Sequence, residues 1–145
     1  MDEEVVTTKN PKKIKKTDYF YALGRRKTAT ARVRLYHKEG DMVVNNIAVG
    51  QYFPGQVAFT QFMKPFQVVG ETGKFSFSAR ILGSGKVGQL GALIHGLSRA
   101  LVKFNPDFKS SLKKAGLMTR DPRMKESRKV GTGGKARRKK QSPKR

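Results

Sequence analysis

The sequence predicts one α+β domain of about 100 residues, residues 18–118, flanked by two basic extensions, 1–17 and 119–145. Three observations lead there. Residues 28–36 and 74–82 alternate apolar and polar side chains, the period of half-buried strands. Residues 89–104 carry apolar side chains at helical spacing. The flanking segments are rich in charge and poor in large apolar side chains, so they have little to set against the entropy cost of ordering.

Residues 1–17 read as a flexible arm with a Lys12-Lys13-Ile14-Lys15-Lys16 cluster, and order begins near Tyr19. In the first strand Ala29, Ala31, Val33 and Leu35 share one face, while Thr28, Thr30, Arg32, Arg34 and Tyr36 share the other. Glu39-Gly40-Asp41 is a turn, and Met42 to Ile47 a return strand. Pro54-Gly55 opens a short helix through Val57, Ala58, Phe59, Phe62 and Met63, ended before Pro65.

Glu71-Thr72-Gly73 is a second turn. The strand that follows points Phe75, Phe77, Ala79 and Ile81 inward, with Ser76, Ser78 and Arg80 outward. A glycine loop, Gly83-Ser84-Gly85-Lys86-Val87-Gly88, leads into the main helix. Its stripe is Leu90, Leu93, Ile94, Leu97, Leu101 and Phe104; His95, Arg99 and Lys103 lie opposite. Asn105-Pro106-Asp107 stops it and starts a last helix with Phe108, Leu112 and Ala115 inside and Gly116 at its end.

Composition narrows the function. The chain has 145 residues and a formal charge of +22, with no cysteine and two histidines. That excludes disulfides, thiolate metal sites and a zinc site built from histidine alone; no metal or cofactor is expected. No apolar run approaches membrane-spanning length, and the Met1-Asp2-Glu3-Glu4 start resembles neither a secretory signal nor a transit peptide, so cytosol is expected. The body holds fifteen bases against five acids and residues 119–145 twelve against two. Two parts this basic repel each other unless both face one large anion, and a nucleic-acid backbone is that anion.

Gly83-x-Gly85-x-x-Gly88 fits a dinucleotide fingerprint, but a second helix follows where that motif needs a strand ending in an acid. An oxidoreductase is therefore set aside, and the loop is read as a place where RNA phosphate meets backbone N–H groups at a helix start. Gly70-x-x-Gly73-Lys74 has the wrong spacing for a phosphate loop and reads as a turn. His95 has no carboxylate one turn away, so it reads as a partner contact, with Gly88, Gly91 and Gly96 admitting that partner. Arg25-Arg26-Lys27 with Arg32 and Arg34 forms one basic patch. Tyr19, Phe20 and Tyr21 stack on bases or pack beside a strand.

These residues together resemble the small-subunit ribosomal protein number nine family, in its bacterial form. The resemblance runs from Tyr19 to Arg145. It rests on Gly24-Arg25-Arg26-Lys27-Thr28-Ala29, Ala31-Arg32-Val33, the glycine loop with Gln89, Gly91-Ala92, His95-Gly96-Leu97 and Arg99-Ala100-Leu101. Near the end it rests on Thr119-Arg120-Asp121-Pro122-Arg123, Arg128-Lys129, Lys135-Ala136-Arg137-Arg138 and Lys144-Arg145.

The resemblance implies a mostly antiparallel four-stranded sheet packed on helices, with a long basic tail. It implies a structural, non-enzymatic protein of the small-subunit head that binds ribosomal RNA beside neighbouring ribosomal proteins, its tail reaching peptidyl-site tRNA. The residues expected on RNA are Arg25, Arg26, Lys27, Arg32, Arg34, Gly83, Gly85, Gly88, His95 and Arg99 in the body. In the tail they are Arg120, Arg123, Arg128, Lys129, Lys135, Arg137 and Arg138, with Lys144 and Arg145 on tRNA. The family usually closes with glutamine, phenylalanine, serine, lysine and arginine; this chain has Gln141-Ser142-Pro143-Lys144-Arg145, without the aromatic. Gly131-Thr132-Gly133-Gly134 also replaces a more basic stretch. A nucleoid-type architectural protein would share the charge but favour duplex DNA and a symmetric dimer.

Overall fold

The computed structural model describes residues 19–131 and Gly133. The arm 1–17 and the positions Lys135, Arg137, Arg138, Lys144 and Arg145 lie outside the described residues.

The domain is α+β, as the pattern predicts. Five strands form its sheet: β1 Phe20–Arg26, β2 Ala29–Tyr36, β3 Met42–Val44, β4 Ile47–Ala48 and β5 Ser76–Leu82. The order across the sheet is β1-β2-β5-β3-β4. All pairs are antiparallel except β3 with β5. The helices are α1 Val49–Tyr52, α2 Gln56–Val69, α3 Lys86–Phe104 and α4 Phe108–Lys114. The sheet thus has one strand more than the resemblance implies, and the extra one is the two-residue β4.

That strand exists because Asn45 and Asn46 adopt φ of 50° and 65°, the left-handed region that asparagine tolerates. They fold the expected Met42–Ile47 strand into a hairpin. β3 also does not return along β2. It lies beside β5, and the Asn45 side chain extends the ladder: Ile81 N–H donates to its Oδ1 at 2.9 Å, and its Nδ2 donates to the Ile81 carbonyl at 3.0 Å.

β1 was not read as a strand from sequence, although it pairs with β2 along its whole length, Phe20 with Leu35 through Arg26 with Ala29. Its interior glycine and closing arginines hide the alternation. The chosen inward faces hold. Ala29, Ala31, Val33, Leu35, Phe75, Phe77, Ala79 and Ile81 are buried, and so is Ser76, placed outward by alternation.

α2 runs through Pro65 instead of stopping before it. An interior proline costs one backbone hydrogen bond and roughly 3 kcal/mol. Burial of Phe62, Met63, Pro65 and Phe66 on the same helix offsets that cost, since each large apolar side chain contributes about 1.5–3 kcal/mol. The helix ends where Gly70 turns left-handed: its N–H reaches the Gln67 carbonyl and the Glu71 N–H reaches Phe66. Gly116 closes α4 the same way, as expected.

α3 lies on one face of the sheet with Leu90, Leu93, Leu97 and Leu101 in the core. Its second buried line, Ala92, Gly96 and Ala100, rests on β1 and β2. Gly24 makes this possible: a Cβ there would collide with the Ala92 carbonyl and the Gly96 backbone. Among the described residues the helices cover one face only, so they leave the other face of β1, β2 and β5 open.

Candidate nucleic-acid interface

Alternation dictates what the open face carries. With Ala31, Val33 and Leu35 inward, Arg32 and Arg34 must point out, and Arg80 of β5 falls beside Arg32 in register. On β1, Tyr21 and Arg25 are exposed on the same side. A groove of about 640 Å³ is lined by Arg25, Thr28, Thr30, Arg32, Asn45, Asn46, Arg80, Leu82 and Gly83. A second hollow shares Arg32 and Arg80 and adds Tyr19, Tyr21, Arg34 and Ser78. Among the described residues none of Arg25, Arg32, Arg34 and Arg80 has an ion-pair partner. Four guanidiniums without ion-pair partners, beside hydroxyl and amide groups, present the kind of donors that can hold an oxyanion.

The aromatic trio divides by the same alternation. Phe20 turns inward, edge-on to Phe104 at 5.4 Å. Tyr19 and Tyr21 stay on the open side, where the Arg34 guanidinium sits 5.3 Å over the Tyr19 ring.

Arg25-Arg26-Lys27 is not one patch. Consecutive strand residues face opposite ways, so Arg25 joins the groove while Arg26 turns to the helix side. There Arg26 packs over Gly91, and its Nη2 pairs with Asp121 at 3.2 Å. Lys27 is exposed at the hairpin tip with φ 52°, and the Arg120 Nη2 lies 3.5 Å from its carbonyl.

His95 and Arg99 have partners within the chain. The Arg25 N–H donates to His95 Nδ1 at 3.2 Å, Arg99 Nη1 donates to the Leu23 carbonyl at 2.6 Å, and Lys103 Nζ donates to the Tyr21 carbonyl at 2.7 Å. Three residues four apart on α3 therefore meet three alternate residues along the free edge of β1. An uncovered edge strand is a template for wrong pairing, and this ridge covers it. Partial burial, then the Arg99 charge, pull the His95 pKa below its ordinary value, while backbone contact with Met118 opposes the shift. The glycines expected to admit a partner at this face admit the domain itself: Gly96 meets Gly24 and Val33, Gly91 meets Arg26, and Gly88 meets Ser84.

The glycine loop splits likewise. Lys86, Val87 and Gly88 already belong to the first turn of α3. Gly83 has φ 82° and lies against the Thr28 carbonyl, where any Cβ would collide. Gly85 has ordinary φ, −91°, and open space beside it. Among the described residues no side chain caps the helix, so its first N–H groups have no side-chain acceptor at the cap. A chain of hydrogen bonds holds the loop: Asn45 to Tyr52 OH at 3.2 Å, Tyr52 OH to Gln89 at 2.8 Å, and Gln89 to the Gly83 carbonyl at 3.1 Å. Lys86 Nζ lies 3.4 Å from the Tyr52 ring centre. α3 leads to α4, so the strand–helix–strand unit of a dinucleotide site is not formed.

At the root of the tail, Arg123 and Asp121 pair through two parallel contacts of 2.9 and 2.7 Å. Arg128 is exposed and reaches the Gly133 carbonyl at 3.5 Å; Lys129 is exposed. Sequence reasoning noted Arg80 as outward-facing but did not place it in the site. Only the β2–β5 register puts it beside Arg32.

A basic open sheet face, a packed helical face and a basic tail leaving beside the β1–β2 hairpin invite comparison with known chains. The model of the family described as ribosomal protein S9/S16 matches residues 24–145. Small ribosomal subunit protein uS9 of Rickettsia africae is 42% identical over 146 residues, spanning 100% of this chain and 91% of its own length. The protein of that name from Syntrophobacter fumaroxidans is 42% identical over 112 residues, 77% of this chain and 86% of its own. The match takes in the β1–β2 hairpin, the groove, α3 and the tail, and on it the chain belongs to the ribosomal protein S9/S16 family.

Proposed function

We propose that this chain is a structural, non-enzymatic protein of the small ribosomal subunit that docks on ribosomal RNA through the open face of its sheet. The observation that carries the docking mode is the cluster Arg25, Arg32, Arg34 and Arg80, which among the described residues has no ion-pair partner and no helix over it. Lys27 and the uncapped start of α3 extend that surface. Arg99 keeps donors beyond its Leu23 bond, so it edges the surface, while His95 serves the fold. The body lies among neighbouring ribosomal proteins in the cytoplasmic ribosome. Family membership favours this reading over a nucleoid-type protein, which the charge alone would also suit.

The tail extends the reading. Arg120, Arg128, Lys129, Lys135, Arg137 and Arg138 neutralise RNA phosphates, Arg123 being held by Asp121, and Lys144 and Arg145 meet peptidyl-site tRNA. Residues 131–145 span at most about 50 Å when extended, enough to leave the domain surface. Pro143 has no N–H, so no backbone hydrogen bond is donated at that one position.

Two arms test this. The tagged full chain is sedimented from a lysate; co-migration with small subunits is expected, and migration with duplex DNA or free in the supernatant refutes the role. Subunits carrying the chain without residues 141–145 are then compared with the full chain for tRNA dissociation. Equal assembly with faster dissociation is expected, and identical dissociation at several salt concentrations refutes the tip contact.

A further inference from the structure

Asp121 is an acid in a segment with twelve bases, and its charge weakens the pull of that segment on RNA. Its geometry accounts for it. Oδ2 meets Arg26 Nη2 at 3.2 Å and Arg123 Nη2 at 2.7 Å, while Oδ1 accepts from Arg123 N–H at 3.1 Å and Arg123 Nε at 2.9 Å. One carboxylate thus joins the end of β1 to the residue two places further along the outgoing chain. The Arg26 and Asp121 side chains are both only 26% exposed, whereas residues 122–131 are exposed throughout. The missing Cβ of Gly91 leaves the space that the Arg26 side chain fills, so α3 fixes the guanidinium that Asp121 meets. Pro122 stiffens the link between the two ends of the pair.

We infer that Asp121 is a positioning residue, a latch that sets the direction in which the basic tail leaves the domain. Holding that direction cuts the orientational freedom of every residue beyond it, and therefore raises the effective concentration of the tip at any site the tail points to. Arg26 then acts through Asp121 and not on RNA. Hydrogen bonds from Arg123, with the charges of Arg123 and Arg26, hold the Asp121 carboxyl far below the usual carboxylate range, so the latch stays charged at physiological pH. The consequence for tRNA rests on the proposed contact of the tip; the latch itself does not.

The chain has no cysteine, so Lys109→Cys and Met124→Cys place two spin labels on the full-length protein, one on α4 and one just past the latch. Pulsed distance measurement on the free protein is expected to give one narrow distribution. Asp121→Asn should broaden it at least twofold, Arg26→Gln should do the same, and Arg26→Glu with Asp121→Arg should narrow it again. Circular dichroism melts identify any variant that fails to fold, and the charge swap keeps the test decisive if one does. An unchanged distribution in Asp121→Asn overturns the latch. Small subunits carrying Asp121→Asn should release peptidyl-site tRNA faster, by about the factor that removal of residues 141–145 produces. Acceleration by that removal but not by Asp121→Asn overturns the aiming role. No acceleration by either overturns the tip contact, and the latch is then decided by the distances.

Discussion

Arg80→Gln should make the domain more stable and a worse RNA binder, a pair of opposite shifts that few surface substitutions produce. Arg32 and Arg80 are register partners on β2 and β5 and point to the same open face. Cross-strand neighbours sit roughly 5 Å apart at Cβ, and like charges there cost up to about 1 kcal/mol. Removing one charge should return a few tenths of that, read as a higher denaturant midpoint. If Arg80 neutralises a phosphate, its loss removes a charge-assisted hydrogen bond of at most about 1.5–3 kcal/mol, reduced by exposure to roughly a tenfold drop in affinity. It also removes one released counterion, about 0.9 in the slope of log affinity against log salt. Between 50 and 200 mM salt the variant should therefore lose about 3.5-fold less affinity than the natural chain. Fluorescence anisotropy with small-subunit ribosomal RNA measures both quantities. Parallel salt plots with equal intercepts, together with the raised midpoint, would show that the two arginines merely repel each other in water.

Two further substitutions separate glycines that look alike in sequence. Gly85→Ser should leave stability unchanged or raise it by a few tenths of a kcal/mol, since serine caps a helix slightly better than glycine and open space surrounds the site, while RNA affinity falls. Gly88→Val should instead cost about 1–3 kcal/mol in a denaturant titration, because its Cβ would press on Ser84. Stability should also fall as pH drops below about 6.5. The unfolded chain binds a proton at His95 near its ordinary value of 6.5, but the folded chain, with its pKa lowered, binds it less readily. Denaturant midpoints at pH 7.5, 6.5 and 5.5 check this, and His95→Gln should flatten the slope between them.

The fold was legible where one period ran unbroken. β2, β5 and α3 each bury one face, so their apolar spacing is forced and readable. β1 was not, because Gly24 is a packing residue with no side chain and Arg26 is an inward-facing charge. Only the position of α3 explains either. Pro65 misled for a similar reason: the rule that proline ends a helix is local, and burial of the flanking aromatics overrides it. The site was legible as a list of cations and not as a surface. Nothing in Arg25-Arg26-Lys27 says that Arg25 faces the groove and Arg26 an acid almost a hundred residues away.

The polar stripe of α3 shows why charge alone cannot assign RNA contacts in so basic a chain. Four helical residues rise about 6 Å, and two strand residues about 6.6 Å. A polar residue at every fourth position of a helix can therefore keep step with every second peptide of a strand beside it. His95, Arg99 and Lys103 do so against Arg25, Leu23 and Tyr21. From sequence the same spacing reads as a solvated or ligand-facing stripe, because both use polar side chains on one helix face. The difference lies in the strand, whose backbone N–H and carbonyl groups carry no sequence signal at all. Carbonyl acceptors favour lysine and arginine as donors, so covering an edge and binding phosphate recruit the same residue types. A count of basic residues thus mixes two uses, and only the partners of each side chain divide them: Arg26 and His95 are engaged within the chain, while among the described residues Arg25, Arg32, Arg34 and Arg80 have no ion-pair partner and stay available to an anion.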